Sequence, residues 1–377
     1  MLALLCGALA FLLFAPGASA QQPAPPPPPA PASEKPTGGI KPPMAKPTPA
    51  ADDDEAGEII RVSSNLVVVP VSVTDAAGQP VLGLTIPDFR LEEEARAQEI
   101  TQIGDPEQVP LDIAILLDVS GSVDARFTFE KEAAARFLKQ VLKPDDRAIL
   151  FAIDQKPRLE QSRDTAERVA ARLLSVAPAK GATAFYDTVN EASKYLSQNT
   201  PAQRRRVIVV ISDGEDNFSN RTRDVEMAMY RALNEKGEQT DKQRKEQIVK
   251  LRNEAQQQAL LEVQRELQRA EVVFYSINPS GQALRLNLPG VRAQEGMARL
   301  AEATGGNTFV PESENVKLSD LDKVFSQIAA ELRSQYLLQY YSNNESPGDK
   351  FLRIKVNMPT HPQLHVRARQ GYYPKRK

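Results

Sequence analysis

The sequence predicts an α/β fold: a doubly wound, mostly parallel sheet inserted in a small β-sandwich formed by N- and C-terminal strands. Three observations predict it. Continuous apolar runs at residues 113–117, 148–153, 207–211 and 272–277 alternate with segments of helical periodicity, as in a parallel sheet covered on both faces. Segments of period two flank this middle part, with Val67, Val69, Val71 and Val73 before it and Leu352, Ile354 and Val356 after it. Neither flank carries enough strands to stand alone, so one sandwich drawn from both is expected. The alternative is two small sheets packed separately on the middle.

In order, residues 1–20 read as an export signal: an apolar run over 2–15 followed by Ala18, Ser19 and Ala20, the small residues that suit cleavage. The run is short for a transmembrane helix, so no stable membrane span is expected in the mature chain. No Lys or Arg precedes the run, which points to a start further upstream; the alternative to cleavage is a retained anchor. The single cysteine, Cys6, lies inside this segment, which leaves the mature chain without disulfides. Residues 21–58 form a linker. Twelve of the 29 prolines fall between Pro23 and Pro49, a composition that favours extended polyproline II and buries no core. It ends in the acidic run Asp52, Asp53, Asp54 and Glu55, read as solvated charge.

Residues 59–108 supply the N-terminal part of the sandwich, with strands expected at 67–73, 81–84, from Phe89 to Leu91, and at 100–103. Residues 109–333 are the doubly wound part. Helices are expected at 125–142, with Phe129, Ala133, Phe137 and Val141 as a stripe, and at 165–174, 185–196, 294–303 and 319–333. The stretch at about 224–270 is rich in Glu, Lys, Arg and Gln, and reads as a long solvated helix or a hairpin broken near Gly237. A projecting arm is the sharper reading. Within it, Leu260, Val263 and Leu267 make the better apolar seam. Residues 334–377 complete the sandwich, with strands at 335–341, 352–356 and 365–369.

A net charge of -2 gives no basic excess, so nucleic acid is not an expected partner. Arg204, Arg205 and Arg206 read as a solvated loop, and His361 and His365, separated by Pro362, as surface or strand residues. The chemistry gathers elsewhere. Asp118, Ser120 and Ser122 follow one apolar run, Thr183 lies in a loop that opens a helix, and Asp213 follows another run. Loops at the carboxyl ends of strands in an open α/β sheet share one crevice. All five side chains are hard oxygen donors, which suits magnesium, manganese or calcium and disfavours zinc or copper. Each loop alone also fits helix capping, since Asp and Ser favour such positions. Capping does not require three loops to converge on one point.

Asp-x-Ser-x-Ser at 118–122, Thr183 in a Gly-Ala-Thr loop and Ser-Asp-Gly at 212–214 resemble the metal-ion-dependent adhesion site of von Willebrand factor A (VWFA) domains. The surroundings resemble the acidobacterial-type VWFA-related family of secreted proteins. Val73, Thr74, Asp75 and Gly78, then Asp88 and Phe89, stand where its leading pieces stand, and Gly371, Tyr372 and Tyr373 match its ending. The likeness covers residues from about 60 to 373. It implies direct ligation by Ser120 and Ser122, direct or water-mediated ligation by Thr183, and mainly water-mediated ligation by Asp118 and Asp213. The implied cofactor is a divalent cation, Mg2+ first and Mn2+ or Ca2+ next. The implied partner is a protein supplying an Asp or Glu carboxylate, and the implied location is outside the cell or in its envelope. Ala182 replaces a glycine common there, and the stretch after Asp224 is longer than usual.

Three functions compete. A metal-dependent binding module leads and is not an enzyme. A metal-assisted hydrolase or phosphatase is second, though no phosphate-cradling Gly-rich Lys loop and no Gly-x-Ser-x-Gly elbow occurs in the sequence. A purely structural envelope component is third.

Overall fold

A computed structural model describes residues 65–120, 125–179, 181–234, 241–280, 288–311, 317–344 and 350–374. The expected signal segment, the proline-rich linker with its acidic run, Ser122 and the break near Gly237 lie outside the described residues.

The first strands are β1 (Leu66–Thr74), β2 (Arg90–Glu93), β3 (Arg96–Gln98) and β4 (Gln102–Gly104). An alternating layer follows: β5 (Leu111–Asp118), α1 (Ala125–Val141), β6 (Arg147–Ile153), β7 (Arg158–Asp164), α2 (Ala166–Ser175), α3 (Phe185–Asn199) and β8 (Arg205–Ile211). It continues with α4 (Asn220–Asn234), α5 (Asp241–Arg269), β9 (Val272–Ile277), α6 (Leu288–Thr304), β10 (Thr308–Phe309) and α7 (Leu318–Ser334). The closing strands are β11 (Tyr336–Tyr341), β12 (Leu352–Asn357), β13 (His365–Ala368) and β14 (Gly371–Tyr372).

The central sheet runs β10-β9-β8-β5-β6-β7. It is parallel except at its β7 edge, which pairs antiparallel with β6. Alternation along β5 explains why its sequence is apolar throughout. Ile113, Ile115 and Leu117 enter one core with α1, α2 and α7, while Ala114 and Leu116 enter the other with α3, α5 and α6. Burial of each large side chain contributes about 1.5–3 kcal/mol.

Two helical expectations change. Phe129 is 37% exposed. Steps of four residues drift about 40° per step on a 3.6-residue helix, so a stripe anchored at Val141 and Phe137 has left the buried face by Phe129. Phe127, Ala134 and Leu138 are buried instead. The charged stretch after Asp224 is not solvated throughout. Ala259, Leu260, Val263 and Leu267 pack α5 against the sheet, whereas Val249 and Leu251 in its first half are exposed. The α4 helix lies along α5, with Arg221 ion-paired to Glu262 and bonded to Gln258.

Strands from both ends of the sequence form two antiparallel sheets, β13-β1-β11-β4 and β14-β12-β2-β3. They share one apolar core that includes Val69, Val71, Leu91, Leu338, Tyr340 and Leu352, so they make one sandwich. Tyr336, Tyr340 and Tyr372 belong to that core. Buried Glu93 accepts hydrogen bonds there from Tyr340 (2.6 Å), Ser342 (2.8 Å) and Tyr372 (3.0 Å). The strand expected at 81–84 is absent. Its backbone is satisfied by the Tyr336 hydroxyl, which donates to the Val81 carbonyl and accepts from the Leu84 amide, and Gly83 turns left-handed at φ 82°.

The three consecutive arginines are structural and mostly buried rather than a solvated loop. Arg204 binds Asp112, Arg205 donates to the Leu332 carbonyl at the end of α7, and Arg206 donates to the Ala270 carbonyl just past α5. Cations at helix C-termini meet both the unpaired carbonyls and the favourable end of the dipole.

Asp88 gives a test of pH dependence. Thr85 donates to it through backbone and hydroxyl, and His361 lies 3.0 Å away. These contacts, the Thr85 bonds first, hold the Asp88 carboxyl below its ordinary value of 3.8. A carboxyl lowered in the folded state contributes stability above its unfolded value and loses it as pH falls through the lowered value. The melting-temperature gap between the unmodified chain and Asp88→Asn is therefore expected to close as pH falls below about 4.

Candidate functional site

The site forms where β5, β6 and β8 end side by side. Leu117 pairs with Ile211, and Asp118 pairs with Ile153. Each loop is tied to a neighbouring strand or strand end by a backbone hydrogen bond. The Val119 amide donates to the Ile153 carbonyl, the Ala184 amide to the Asp154 carbonyl, and the Ser212 amide to the Ile277 carbonyl.

Asp118 is the centre of the arrangement. Its Oδ1 accepts from the Ser120 hydroxyl at 2.6 Å and the Ser120 amide at 3.0 Å. Its Oδ2 accepts from the Ser212 hydroxyl at 2.7 Å. Burial pushes the Asp118 carboxyl up, bonds from Ser120 and Ser212 oppose that rise, and the Asp213 charge adds to it. Glu215 is also pushed up, by burial and then by Asp213, with Arg252 opposing. Among the described residues neither Asp118 nor Asp213 has an ion-paired cationic side chain. The Asp213 charge thus adds to the effect of burial on Asp118.

Thr183 is 5% exposed and is held from the third loop. Asn217 Oδ1 accepts from the Thr183 amide at 2.7 Å, and the Asn217 and Phe218 amides both donate to the Thr183 carbonyl at 3.0 Å. Buried Asp216 stiffens this loop by accepting from Thr222 and Ser219 and from the Tyr186 amide at the start of α3. Asp213 itself is exposed, and its Oδ1 accepts from the Glu215 amide at 3.0 Å. Hydrogen bonds therefore join Asp118 and Ser120 directly, and Ser212 and Asn217 link the Asp118 and Thr183 loops to the one that carries Asp213. Ser122 lies outside the described residues.

The sequence marks Ser212 only as a member of the Ser-Asp-Gly triplet and not as a functional side chain. Asn217 and Asp216 carry no comparable signal, because their partners are backbone amides and hydroxyls on other elements. Gly214 is required by conformation: its φ is 78°, and a Cβ there would come within 2.8 Å of Met297 Sδ and Cε. Gly214→Ala is expected to destabilise the protein by about 1–2 kcal/mol and to weaken cation binding, read by thermal melting and calorimetry on one sample.

The donor set fits a hard divalent cation. Among the described residues no group of three or more His, Cys, Asp or Glu side chains gathers into a metal cage. A cation at this crevice would rest on hydroxyls as much as on carboxylates, the donor chemistry of hard, oxygen-preferring dications.

Residues 113–215, which span β5 to the Asp213 loop, match the family described as von Willebrand factor type A domain. This part of the chain is a von Willebrand factor A domain. Among curated proteins none matches the chain. Solved structures similar to it include a variant of the PilB minor pilin from Streptococcus sanguinis, at 15% identity and TM-score 0.43, covering 60% of this chain and 62% of that one. Another is proximal thread matrix protein 1 from the mussel byssus with a zinc-occupied MIDAS motif, at 14% identity and TM-score 0.39, covering 64% and 49%. A third is BatB from Bacteroides thetaiotaomicron, at 16% identity and TM-score 0.35, covering 58% and 97%. The chain thus spans less than two thirds of the pilin and about half of the byssus protein.

Proposed function

We propose that the A domain binds a divalent cation, Mg2+ first, at Asp118, Ser120, Ser122, Thr183 and Asp213, and that the bound ion recruits a carboxylate of a protein partner. The observation that carries this reading is Asp118: a half-buried carboxylate, raised by burial and by Asp213, whose partners are hydroxyls and amides. A dication removes that imbalance. When bound, the ion supplies an electrophilic centre for an incoming acidic side chain. The chain's own residues hold it with two carboxylates and neutral hydroxyls, a set that balances the ion's charge without exceeding it and leaves it open to a further acidic ligand.

Adhesion or another protein-protein role follows from this chemistry better than hydrolysis does. His361 pairs with Asp88 and His365 lies on β13, so neither offers a base to the crevice. Among the described residues no helix is long and apolar enough to cross a membrane. With the export signal and proline-rich linker read from the sequence, the proposed setting is secreted or in the cell envelope.

The test is capture of partners from a native envelope fraction on the immobilised full chain, with Mg2+ and with excess chelator. Partners retained with Mg2+ and released by chelator support the reading. Equal retention in chelator overturns it.

A further inference from the structure

The described donors of the candidate site sit on three loops, and two residues outside the donor set join them. Ser212 is 1% exposed. Its hydroxyl donates to Asp118 Oδ2 at 2.7 Å and accepts from the Gly214 amide at 2.9 Å. One oxygen thus fixes the rotation of the Asp118 carboxylate and closes the left-handed turn that aims Asp213. Asn217 makes a two-way bond with the Thr183 peptide, accepting from its amide at 2.7 Å and donating to its carbonyl at 3.0 Å. Both residues lie on the loop that follows β8, so this loop reaches back to the other two.

We infer that Ser212 and Asn217 are positioning residues: the loop after β8 works as a splint that sets Asp118, Asp213 and Thr183 in place before any cation arrives. The inference rests on the metal reading above for its consequence, but its geometry does not depend on a metal. The physical reason is pre-organisation. Side chains locked by hydrogen bonds surrender little freedom when an ion binds, and loss of such an outer partner weakens metal binding roughly 10–100-fold. Ser212 is suited to the task because a hydroxyl donates and accepts at once, whereas Ala does neither and Asn would demand more room.

The experiment has two arms on the full chain. In the first, calorimetry with Mg2+ and with Mn2+ compares the unmodified chain, Ser212→Ala, Asn217→Ala and Ser212→Thr. Both alanine variants are expected to lose affinity roughly 10–100-fold, and Ser212→Thr, which keeps the hydroxyl, to recover most of it. In the second, amide hydrogen exchange is followed in chelator. Ser212→Ala should speed exchange at Gly214, which loses its acceptor, and at Ser120, whose acceptor carboxylate is freed. Asn217→Ala should do the same at Thr183. Unchanged exchange at these three amides overturns the splint whatever the metal results. So does an Ala variant at Ser212 that binds the cation within twofold of the unmodified chain. If the unmodified chain takes up neither ion, the metal reading fails, and the exchange arm alone still decides whether the loop positions the others.

Discussion

Asp118→Ala is expected to abolish uptake of Mg2+ and Mn2+, with a loss exceeding the roughly 100-fold that removal of an outer partner costs, while the metal-free protein folds as before. The sign of the stability effect is the informative part. Burial and the Asp213 charge raise the Asp118 carboxyl, so near neutrality its charge opposes folding in the absence of a cation. Removing it relieves that opposition and forfeits the bonds from Ser120 and Ser212, each worth about 1 kcal/mol. The metal-free variant should therefore melt close to the unmodified chain or slightly above it. With cation at about 100 times its dissociation constant the unmodified chain gains about 2.7 kcal/mol, a gain the variant lacks. Thermal melts with Mg2+ and with chelator read both effects. A variant that keeps the cation-dependent gain would place the ion elsewhere.

The second large effect lies at the opposite end of the same strand. Asp112 is 0% exposed and accepts from Arg163 at 2.5 Å, Arg204 at 2.6 Å and Thr200 at 2.9 Å. Asp112→Ala strands two guanidinium groups and a buried hydroxyl. Breaking a buried ion pair by removing one partner costs about 3–5 kcal/mol, because a charge is left uncompensated. Urea unfolding should show that loss. Cation affinity of the folded fraction should not change, since six residues of strand put about 20 Å between Asp112 and Asp118. A fall in affinity matching that of Asp118→Ala would mean that β5 transmits strain along its length.

What the sequence displayed and what it hid divide along physical lines. The strands β5, β8 and β9 were legible because a strand buried on both faces must be apolar at every position. The β7 strand was not, because an antiparallel edge facing solvent can read Leu-Glu-Gln-Ser-Arg-Asp with no periodic signal. The β3 strand escaped for a similar reason: its turn places Glu94 and Ala95 at positive φ without the glycine or asparagine that marks such turns. Arg204, Arg205 and Arg206 look like surface residues by composition, and only the fold reveals carbonyls and Asp112 waiting for them. Asp118, Ser120, Thr183 and Asp213 stood out in the sequence because their spacing and oxygen chemistry suit a hard cation, and hydrogen bonds tie the loops that carry them together at one end of the sheet. Ser212 and Asn217 act through partners far away in sequence, and no local pattern announces such a role.

The pairing of β4 with β11 has a consequence for how the chain reaches its native state. Thr101, next to β4, donates from its hydroxyl to the Gln339 carbonyl of β11, a residue 238 positions away. Closing so long a loop from a disordered chain costs about 5 kcal/mol of entropy. A folded A domain would hold its two ends together and remove most of that penalty. Assembly should then proceed from the centre outward, with the sandwich zipping last. Changes in its valine and tyrosine core would chiefly alter how quickly the protein comes apart, leaving the speed of its formation to the parallel sheet.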